Sequence, residues 1–252
     1  MRFLIVSDVH GNRFGLESVL AHARDSYETI FCLGDVVGYG AHPNECCNLL
    51  REHGAVSLLG NHDAAALGLI NIDWFNPIAK AAILWTREQL TRENHDWLGD
   101  LLPHRTFPEH KFQAVHASLL EPLEEYITGP KIAGPNLLAM KQPLCFFGHT
   151  HVPARYRSVV PQRLWKRPEQ LEGATLLGSC EFELEKGWKY LVNPGSCGQP
   201  RDGNRQARYA IFDTKTNLIA IHAIDYDWNA ARAAIIAAGL PPILGDRLLH
   251  GN

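Results

Sequence analysis

The sequence predicts an α/β fold built on two sheets, and three observations carry this prediction. Short apolar runs alternate with segments of helical periodicity over about the first sixty residues, which is typical of a parallel sheet. Each of these runs ends in glycine or serine and then a polar side chain. From about residue 155 to 222 the runs are short and separated by turn residues, which indicates a second, more antiparallel sheet.

The first predicted strand, residues 3–6, leads directly into Asp8 and His10. These two residues are two positions apart, so an extended backbone would point both side chains to the same side. A carboxylate and an imidazole at a strand end can hold a divalent metal ion. The alternative is a turn that begins at Asp8, with His10 on the surface. A helix follows, and Asn12 is its predicted N-cap.

The next two strands repeat this arrangement. Residues 29–33 form a buried-strand run that ends in Gly34 and Asp35, and a helix begins near Pro43. The third run, residues 55–59, is followed by Gly60, Asn61 and His62. Ligands of such sheets bind beyond the carboxyl ends of the strands, so this edge is the expected site.

Residues 64–104 change character and show helical spacing of apolar side chains, which predicts a helical insertion. The insertion could cap the site, or it could only cover the sheet. Two further strands, 111–115 and 144–147, lead into His116 and into the pair His149 and His151. Residues 161–173 are predicted to be an exposed loop, and an alanine-rich helix from about 228 to 238 ends at Gly239 and two prolines.

Composition limits the class of protein. The 252 residues fit a single domain, 1–252, and 46% hydrophobic residues suffice for a packed core. A net charge of −3 without a long basic run argues against an extended nucleic-acid surface, and no apolar run is long enough to span a bilayer. The six cysteines show no C-x-x-C spacing and the N-terminus shows no secretory pattern, so we expect a cytoplasmic protein. An oligomer is possible.

The polar residues at the strand ends form one candidate site. Taken singly, each has an ordinary explanation as a turn residue or a core histidine. Taken together they are too many for one tetrahedral ion and suit two divalent ions that share a carboxylate, for which Asp35 is the natural bridge. The candidate ligands are Asp8, His10, Asp35, Asn61, His116, His149 and His151.

Five motifs in this order resemble the calcineurin-like metallophosphoesterases. The segments Gly38–Gly40 and Asn193–Arg201 are further similar to a prokaryotic branch of small phosphodiesterases, often labelled by analogy with diadenosine tetraphosphatases and protein phosphatases. The five motifs are Asp8-Val9-His10, Gly34-Asp35-Val36-Val37, Gly60-Asn61-His62-Asp63, Val115-His116 and Gly148-His149-Thr150-His151.

The resemblance implies a four-layer α/β/β/α sandwich, with two mixed sheets flanked by helices. It also implies a centre of two divalent ions, with manganese as the first expectation and iron, zinc, nickel or magnesium as alternatives. A hydroxide bridging the ions would attack phosphorus, and His62 would be the general acid. By similarity, one ion takes Asp8, His10, Asp35 and His151, and the other takes Asp35, Asn61, His116 and His149.

One departure from the family narrows the substrate. The branch that acts on phosphoserine and phosphothreonine proteins has an Asp-Arg pair where this chain has Gly38 and Tyr39. The expected activity is therefore phosphodiester hydrolysis on a small-molecule or nucleotide substrate. A dinucleoside polyphosphate hydrolase, a protein phosphatase and a metal-binding interaction scaffold are the alternatives. The planar fork of Arg201 suits phosphate, although a surface arginine on a turn fits its position equally.

Overall fold

The computed structural model describes residues 1–159 and 168–252. Among these residues, twelve strands form two sheets of six strands each. The strands are β1 (Arg2–Val6), β2 (Thr29–Cys32), β3 (Val56–Ser57), β4 (His104–Phe107), β5 (Phe112–Val115), β6 (Leu144–Phe146), β7 (Ala154–Val159), β8 (Glu169–Thr175), β9 (Cys180–Glu183), β10 (Trp188–Asn193), β11 (Ala207–Asp213) and β12 (Leu218–Ile224).

Eight α-helices accompany these strands in the described part of the chain, and none of them combines the length and hydropathy needed to cross a membrane. The predicted start of the first helix is confirmed, because the Asn12 side chain accepts a hydrogen bond from the Gly15 amide at 3.1 Å. The helices are α1 (Arg13–His22), α2 (Pro43–Glu52), α3 (Asn61–Ala66), α4 (Pro77–Gln89), α5 (Arg92–Gly99), α6 (Pro130–Ala139), α7 (Trp228–Ala237) and α8 (Pro242–His250).

Both sheets mix parallel and antiparallel pairing. The first sheet has the order β3-β2-β1-β11-β12-β9, and only β1, β2 and β3 pair in parallel. The second has the order β4-β5-β6-β10-β7-β8, with parallel pairing from β5 through β6 to β10. The carboxyl ends of the parallel strands in each sheet therefore open onto a shared edge.

The sheets stack face to face, and the alternation within β1 shows how the sequence encodes this. Phe3 and Ile5 point into an apolar cluster between the sheets, where Phe112 and Phe146 meet them from the second sheet. Leu4 and Val6 point the other way, into the cluster beneath α1, α2 and α4. The outer face of the second sheet packs under α6. These contacts produce the expected four-layer α/β/β/α sandwich of two mixed sheets.

Two sequence-based expectations about the fold are wrong in part. The strands between 155 and 222 do not form one sheet, because β9, β11 and β12 extend the first sheet while β7, β8 and β10 complete the second. Strand β8 starts at residue 169, inside the predicted loop 161–173; residues 160–167 lie outside the described part of the chain. The predicted helix at 228–238 is confirmed as α7, and a further helix, α8, begins at the second of the two prolines, Pro242.

The predicted helical insertion at 64–104 contains the second half of α3 and all of α4 and α5. Its buried side chains, including Ala82, Ile83 and Leu98, belong to the apolar cluster of the first sheet. The insertion therefore covers the sheet. The loop that joins α3 to α4 also buries Phe75 in the same cluster, which brings this loop to the shared edge of the strands.

A buried ion pair ties the loop after β10 to β11. The side chains of Arg208 and Asp202 each expose 1% of their surface, and Arg208 Nη2 donates to Asp202 Oδ2. Arg208 Nη1 donates to the Gly178 carbonyl at 2.7 Å, and the Arg208 amide donates to the Ser196 carbonyl at 2.9 Å. The loop from 194 to 203 is thus anchored through one charged side chain.

We expect Asp202→Ala to lower the free energy of unfolding by about 3–5 kcal/mol, because it leaves the Arg208 charge buried without its partner. Urea denaturation at constant metal concentration measures this. The matched control is Asp96→Ala, which removes an exposed partner of Arg92 and should change stability by less than about 1 kcal/mol. Equal effects of the two substitutions would contradict a stabilising role for the buried pair.

Candidate metal centre

The predicted site residues meet at the shared edge of the two sheets. Asp8 and His10 follow β1, Asp35 follows β2, and Asn61 lies at the start of α3 after β3. From the second sheet, His116 follows β5, while His149 and His151 follow β6. All seven side chains are buried, with 3% or less of their surface exposed.

The backbone of these loops is not extended, so the reason given for the convergence of Asp8 and His10 is wrong. Asp8 has a φ of 53° and His10 a φ of 49°, both in the left-handed region. Asp35, His149 and His151 share this conformation, with φ values of 53°, 66° and 60°. Such strain in residues other than glycine persists only where the surroundings impose it, and it concentrates at functional sites.

Hydrogen bonds between the loops impose this conformation. The Asp8 amide donates to the Gly34 carbonyl at 3.1 Å, and the His10 amide donates to the Asp35 carbonyl at 2.8 Å. A β-carbon on Gly60 would lie 2.1 Å from Asp35 Oδ1, so only glycine lets the third loop approach this closely. The approach allows the His62 amide to donate to Asp35 Oδ1 at 2.8 Å.

Two groups of side chains could each hold a metal ion. In the first, the ligand atoms of Asp8, His10, Asp35 and His151 all lie within 4.8 Å of one another. His10 Nε2 is 3.5 Å from Asp35 Oδ2, and His151 Nε2 is 3.5 Å from Asp8 Oδ1. The two Nε2 atoms are only 3.0 Å apart.

The second group consists of Asp35, His116 and His149, again with ligand atoms within 4.8 Å. His116 Nε2 lies 3.5 Å from Asp35 Oδ2 and 3.1 Å from Asn61 Oδ1. The amide side chain of Asn61 therefore completes a four-residue set. Asp35 belongs to both groups, the position that the sequence predicted for a bridging carboxylate.

The hydrogen bonds of the imidazoles show what these groups fit. The Nδ1 atoms of His10, His116 and His151 lie 3.2, 2.9 and 2.6 Å from the backbone carbonyl oxygens of Val37, Leu33 and Gln199. A carbonyl can only accept, so each Nδ1 carries the proton and each Nε2 presents a lone pair. Lone pairs and carboxylate oxygens therefore face one another at short range. A cation between them would offset the repulsion of these acceptors, so the donor set fits a metal ion.

Unpaired atoms at the centre of the site support the same conclusion. Asp35 Oδ2 and His149 Nε2 are both buried and have no hydrogen-bond partner. An unpaired carboxylate oxygen in a protein interior is costly unless a positive charge or a donor compensates it. A bound cation would offset the free-energy cost of burying these two atoms without a partner.

Burial shifts the pKa values of the ligands in opposite directions. It lowers the pKa of His10 and His151 well below the usual value, so both rings are neutral, as metal ligation requires. It raises the pKa of Asp8 to about 7, and burial together with the nearby Asp63 raises the pKa of Asp35. Without a cation the site thus disfavours the carboxylate charges that bind one.

His62 lies beside both groups and is not part of either. Its ring is 4.8 Å from that of His10 and 4.4 Å from that of Tyr39. Its Nδ1 is buried without a partner, and a β-carbon on Gly38 would be only 2.7 Å from it. The other ring nitrogen is left to face a ligand. Burial, and secondarily the charge of Arg201, lower the pKa of His62.

Arg201 reaches the site from the loop after β10. Its amide donates to the His151 carbonyl at 3.3 Å, and its Nη2 donates to Gln199 Oε1 at 2.8 Å. The guanidinium carbon lies 5.7 Å from the centre of the Tyr39 ring, and Nε is buried without a partner. Arg201 is half-buried. Burial, and secondarily the charge of Arg201, lower the pKa of His151, and the same charge opposes the rise that burial produces in the pKa of Asp8.

Three supporting residues were not assigned a role from the sequence. Asp63 accepts from the Val37 amide through Oδ1 and from the Gly60 amide through Oδ2, each at 3.0 Å, and so joins two loops. Its position three residues after Gly60, the N-cap of α3, was the available signal. Ser196 donates to the Asp8 carbonyl at 2.8 Å. Tyr126 stacks on His149 with ring centroids 3.9 Å apart, and no local motif marks it.

Comparisons with known proteins agree with this arrangement. A family model described as the calcineurin-like phosphoesterase superfamily domain matches residues 1–217, which include every residue of the two groups. An uncharacterised protein of Methanocaldococcus jannaschii is 37% identical over 253 residues, covering 98% of this chain and 97% of that protein.

Two solved structures extend the comparison. A metallophosphoesterase from Sphaerobacter thermophilus is 38% identical and has a TM-score of 0.85; the match covers 100% of this chain and 99% of that one. A hypothetical protein from Pyrococcus horikoshii, only 17% identical, has a TM-score of 0.76 and shows the same fold, with 100% and 98% of the chains covered.

We expect Asp35→Asn to weaken the binding of both metal ions by at least about tenfold, because Asp35 is common to both groups. His10→Ala should chiefly weaken one ion, because His10 belongs to the first group alone. Calorimetric titration and elemental analysis after dialysis measure both affinities. Matched controls are Asp96→Asn and His95→Ala at exposed positions of α5. Equal loss of both ions in His10→Ala and Asp35→Asn would contradict a bridging role confined to Asp35.

Proposed function

The chain belongs to the calcineurin-like phosphoesterase superfamily, whose members hydrolyse phosphoric esters, and from this premise we propose that it is a two-metal phosphodiesterase acting on small or nucleotide-type diesters. One observation carries the proposal. The His62 amide binds the same carboxylate, Asp35, that both ligand groups share, so a proton donor is held directly beside the metal centre.

The two ligand groups would hold two divalent ions. When bound, such ions activate a water molecule near neutral pH and neutralise charge on the phosphoryl oxygens. Nitrogen and oxygen donors without a thiolate suit manganese first, and iron, zinc, nickel or magnesium remain alternatives. One ion would take Asp8, His10, Asp35 and His151, and the other would take Asp35, Asn61, His116 and His149.

His62 would donate a proton to the departing oxygen. Its amide bond to Asp35 and its ring contacts with His10 and Tyr39 hold the imidazole in place, and Nδ1 is turned toward Gly38. In the substrate-free protein the lowered pKa keeps this ring neutral. An anionic ester bound alongside favours the charged form, so His62 would take up its proton together with the substrate.

Arg201 would bind the phosphoryl group. Its guanidinium lies over Tyr39, has a buried Nε without a partner, and can offer two parallel N–H groups to two non-bridging oxygens. This fits a diester, which has two such oxygens and one negative charge. The arginine of the phosphoprotein-specific branch is absent here, where Tyr39 occupies its sequence position, and Arg201 supplies a cation from a different loop.

Hydrolysis by metal-stripped protein reloaded with manganese, iron, zinc, nickel or magnesium tests the proposal. The substrates are bis-(4-nitrophenyl) phosphate, 4-nitrophenyl phosphate, a cyclic nucleotide and a diadenosine polyphosphate. We expect metal-dependent cleavage of the diester well above that of the monoester. Preference for the monoester would favour a phosphatase, and preference for the diadenosine compound would favour a dinucleoside polyphosphate hydrolase. No cleavage with both ions bound would favour a metal-binding scaffold.

We expect His62→Gln to retain both metal ions and to lose about 10²–10⁴-fold in kcat on diesters with a poor leaving group, because protonation of the leaving oxygen is lost. The loss should be much smaller with 4-nitrophenol, which leaves without a proton. Turnover of both substrate types and metal content are measured together, with His95→Gln as the matched surface control. Unchanged turnover on the poor leaving groups would remove His62 from the mechanism.

A further inference from the structure

Two exposed aromatic side chains of the described residues are connected to the metal centre: Tyr126 contacts the ligand His149, and Trp74 is linked to His62 through Phe75. Tyr126 exposes 44% of its surface and Trp74 exposes 54%, whereas every other tyrosine and tryptophan in 1–159 and 168–252 is buried or half-buried. Tyrosine and tryptophan offer a large flat surface for stacking on a ligand. Their links to the candidate site therefore make them candidates for substrate contact.

Tyr126 lies on the side of the second ligand group. One face of its ring is tilted by 32° against His149, with centroids 3.9 Å apart, and the rest of the ring is open to solvent. Burial raises the pKa of the Tyr126 phenol, and the charge of Arg201 opposes this shift. Tyr126 therefore lies beside a ligand of the second group and on the side of the site from which Arg201 acts.

Trp74 lies on the side of the proton donor. Its ring packs edge-on against Phe75 with centroids 4.4 Å apart, and Phe75 contacts His62 with centroids 5.3 Å apart. Phe75 is buried, so the open surface of this pair belongs to Trp74. Phe75 thus connects the exposed Trp74 ring to His62.

The loop that carries Trp74 is held before any ligand binds. Ile72 and Phe75 are buried in the core, and the Phe75 amide donates to the Ile72 carbonyl at 3.1 Å. Asp73 forms a 2.8 Å ion pair with Lys80 on α4. Binding to a preorganised aromatic surface avoids the entropic cost of ordering it.

The loop that carries Tyr126 is held in a similar way. Ile127 is buried under the second sheet, and Asn136 on α6 donates to Glu125 at 3.0 Å. Ser118 Oγ accepts from the Glu121 amide at 2.9 Å. Two rigid aromatic side chains therefore flank the metal ligands, one beside His149 and one beyond His62.

We propose that the substrate is a phosphodiester whose two ester groups are both planar and aromatic or heteroaromatic, and that Trp74 stacks on the departing group while Tyr126 stacks on the retained group. The inference rests on the proposed phosphodiesterase activity and names its substrate class. In-line attack places the departing group opposite the incoming water. The two ester groups therefore leave phosphorus in different directions and can contact different side chains. Base-like rings stack on such side chains with little dependence on ring identity.

Two substrates that share one leaving group separate the two contacts. Bis-(4-nitrophenyl) phosphate and cyclohexyl 4-nitrophenyl phosphate share one leaving group and differ only in whether the retained group is a flat ring. We expect Tyr126→Leu to lower the preference in kcat/KM for the diaryl ester by about two- to tenfold. Trp74→Leu should instead raise KM for both esters by a similar factor and leave that preference in place.

Conservative variants and a remote control separate stacking from structural damage. Tyr126→Phe and Trp74→Phe keep a ring and should restore most of each lost effect. Metal content is measured for every variant because Tyr126 contacts His149. Leu177→Ala, at an exposed position between β8 and β9, should change neither quantity. Leucine variants that keep the wild-type KM values and ester preference would overturn the inference.

A binding measurement distinguishes failure of this inference from failure of the proposed function. Calorimetry compares diphenyl phosphate with dicyclohexyl phosphate, which has a similar size and charge but no flat ring. Tighter binding of the diphenyl compound, reduced in Tyr126→Leu and Trp74→Leu, supports stacking on these two side chains even when no diester is cleaved. Equal affinities of the wild-type protein for the two compounds would overturn the stacking inference, whatever the hydrolysis assay shows.

Discussion

The structure of the site depends on one buried carboxylate. Asp35 is shared by two groups of side chains, its Oδ1 accepts the His62 amide, and its Oδ2 has no protein donor. Every neighbouring imidazole whose Nδ1 donates to a carbonyl turns a lone pair toward this carboxylate or toward Asp8. Acceptors gathered in this way repel one another, and bound cations would offset that repulsion. Metal ligation would thus add to the stability of this edge of the fold.

Such an arrangement requires a backbone that ordinary loops do not adopt. Asp8, Asp35 and His149 all have left-handed φ values, and interloop hydrogen bonds rather than glycine hold them there. Asp63 contributes by accepting amides from two loops at once, which keeps the loop of Asn61 close to that of Asp35. Strain, burial and charge are therefore concentrated in a few residues, while the two sheets behind them pack as an ordinary apolar sandwich.

The difference between what could and could not be predicted from the sequence has a physical basis. Asp8, Asp35 and His116 could be placed together because parallel strands end at one edge, which short apolar runs reveal. The sheet to which β11 and β12 belong could not be predicted, because it depends on pairing of β11 with β1 across about two hundred residues. The left-handed φ values could not be predicted, because the conformational preferences of residues other than glycine disfavour that region. Tyr126 could not be predicted as part of the site, because only tertiary packing brings its ring onto His149.

The proposed proton donor, His62, would be held differently from the way an acid–imidazole pair holds a ring. Where the phosphoprotein-specific branch has an acid that orients the catalytic histidine, this chain has Gly38, whose would-be β-carbon lies 2.7 Å from His62 Nδ1. The ring instead contacts Tyr39 and His10, which add no negative charge. Burial, and secondarily the charge of Arg201, lower the pKa of His62, so a bound anionic ester would favour its protonated form. Under the proposed mechanism, protonation of His62 would therefore be coupled to substrate binding.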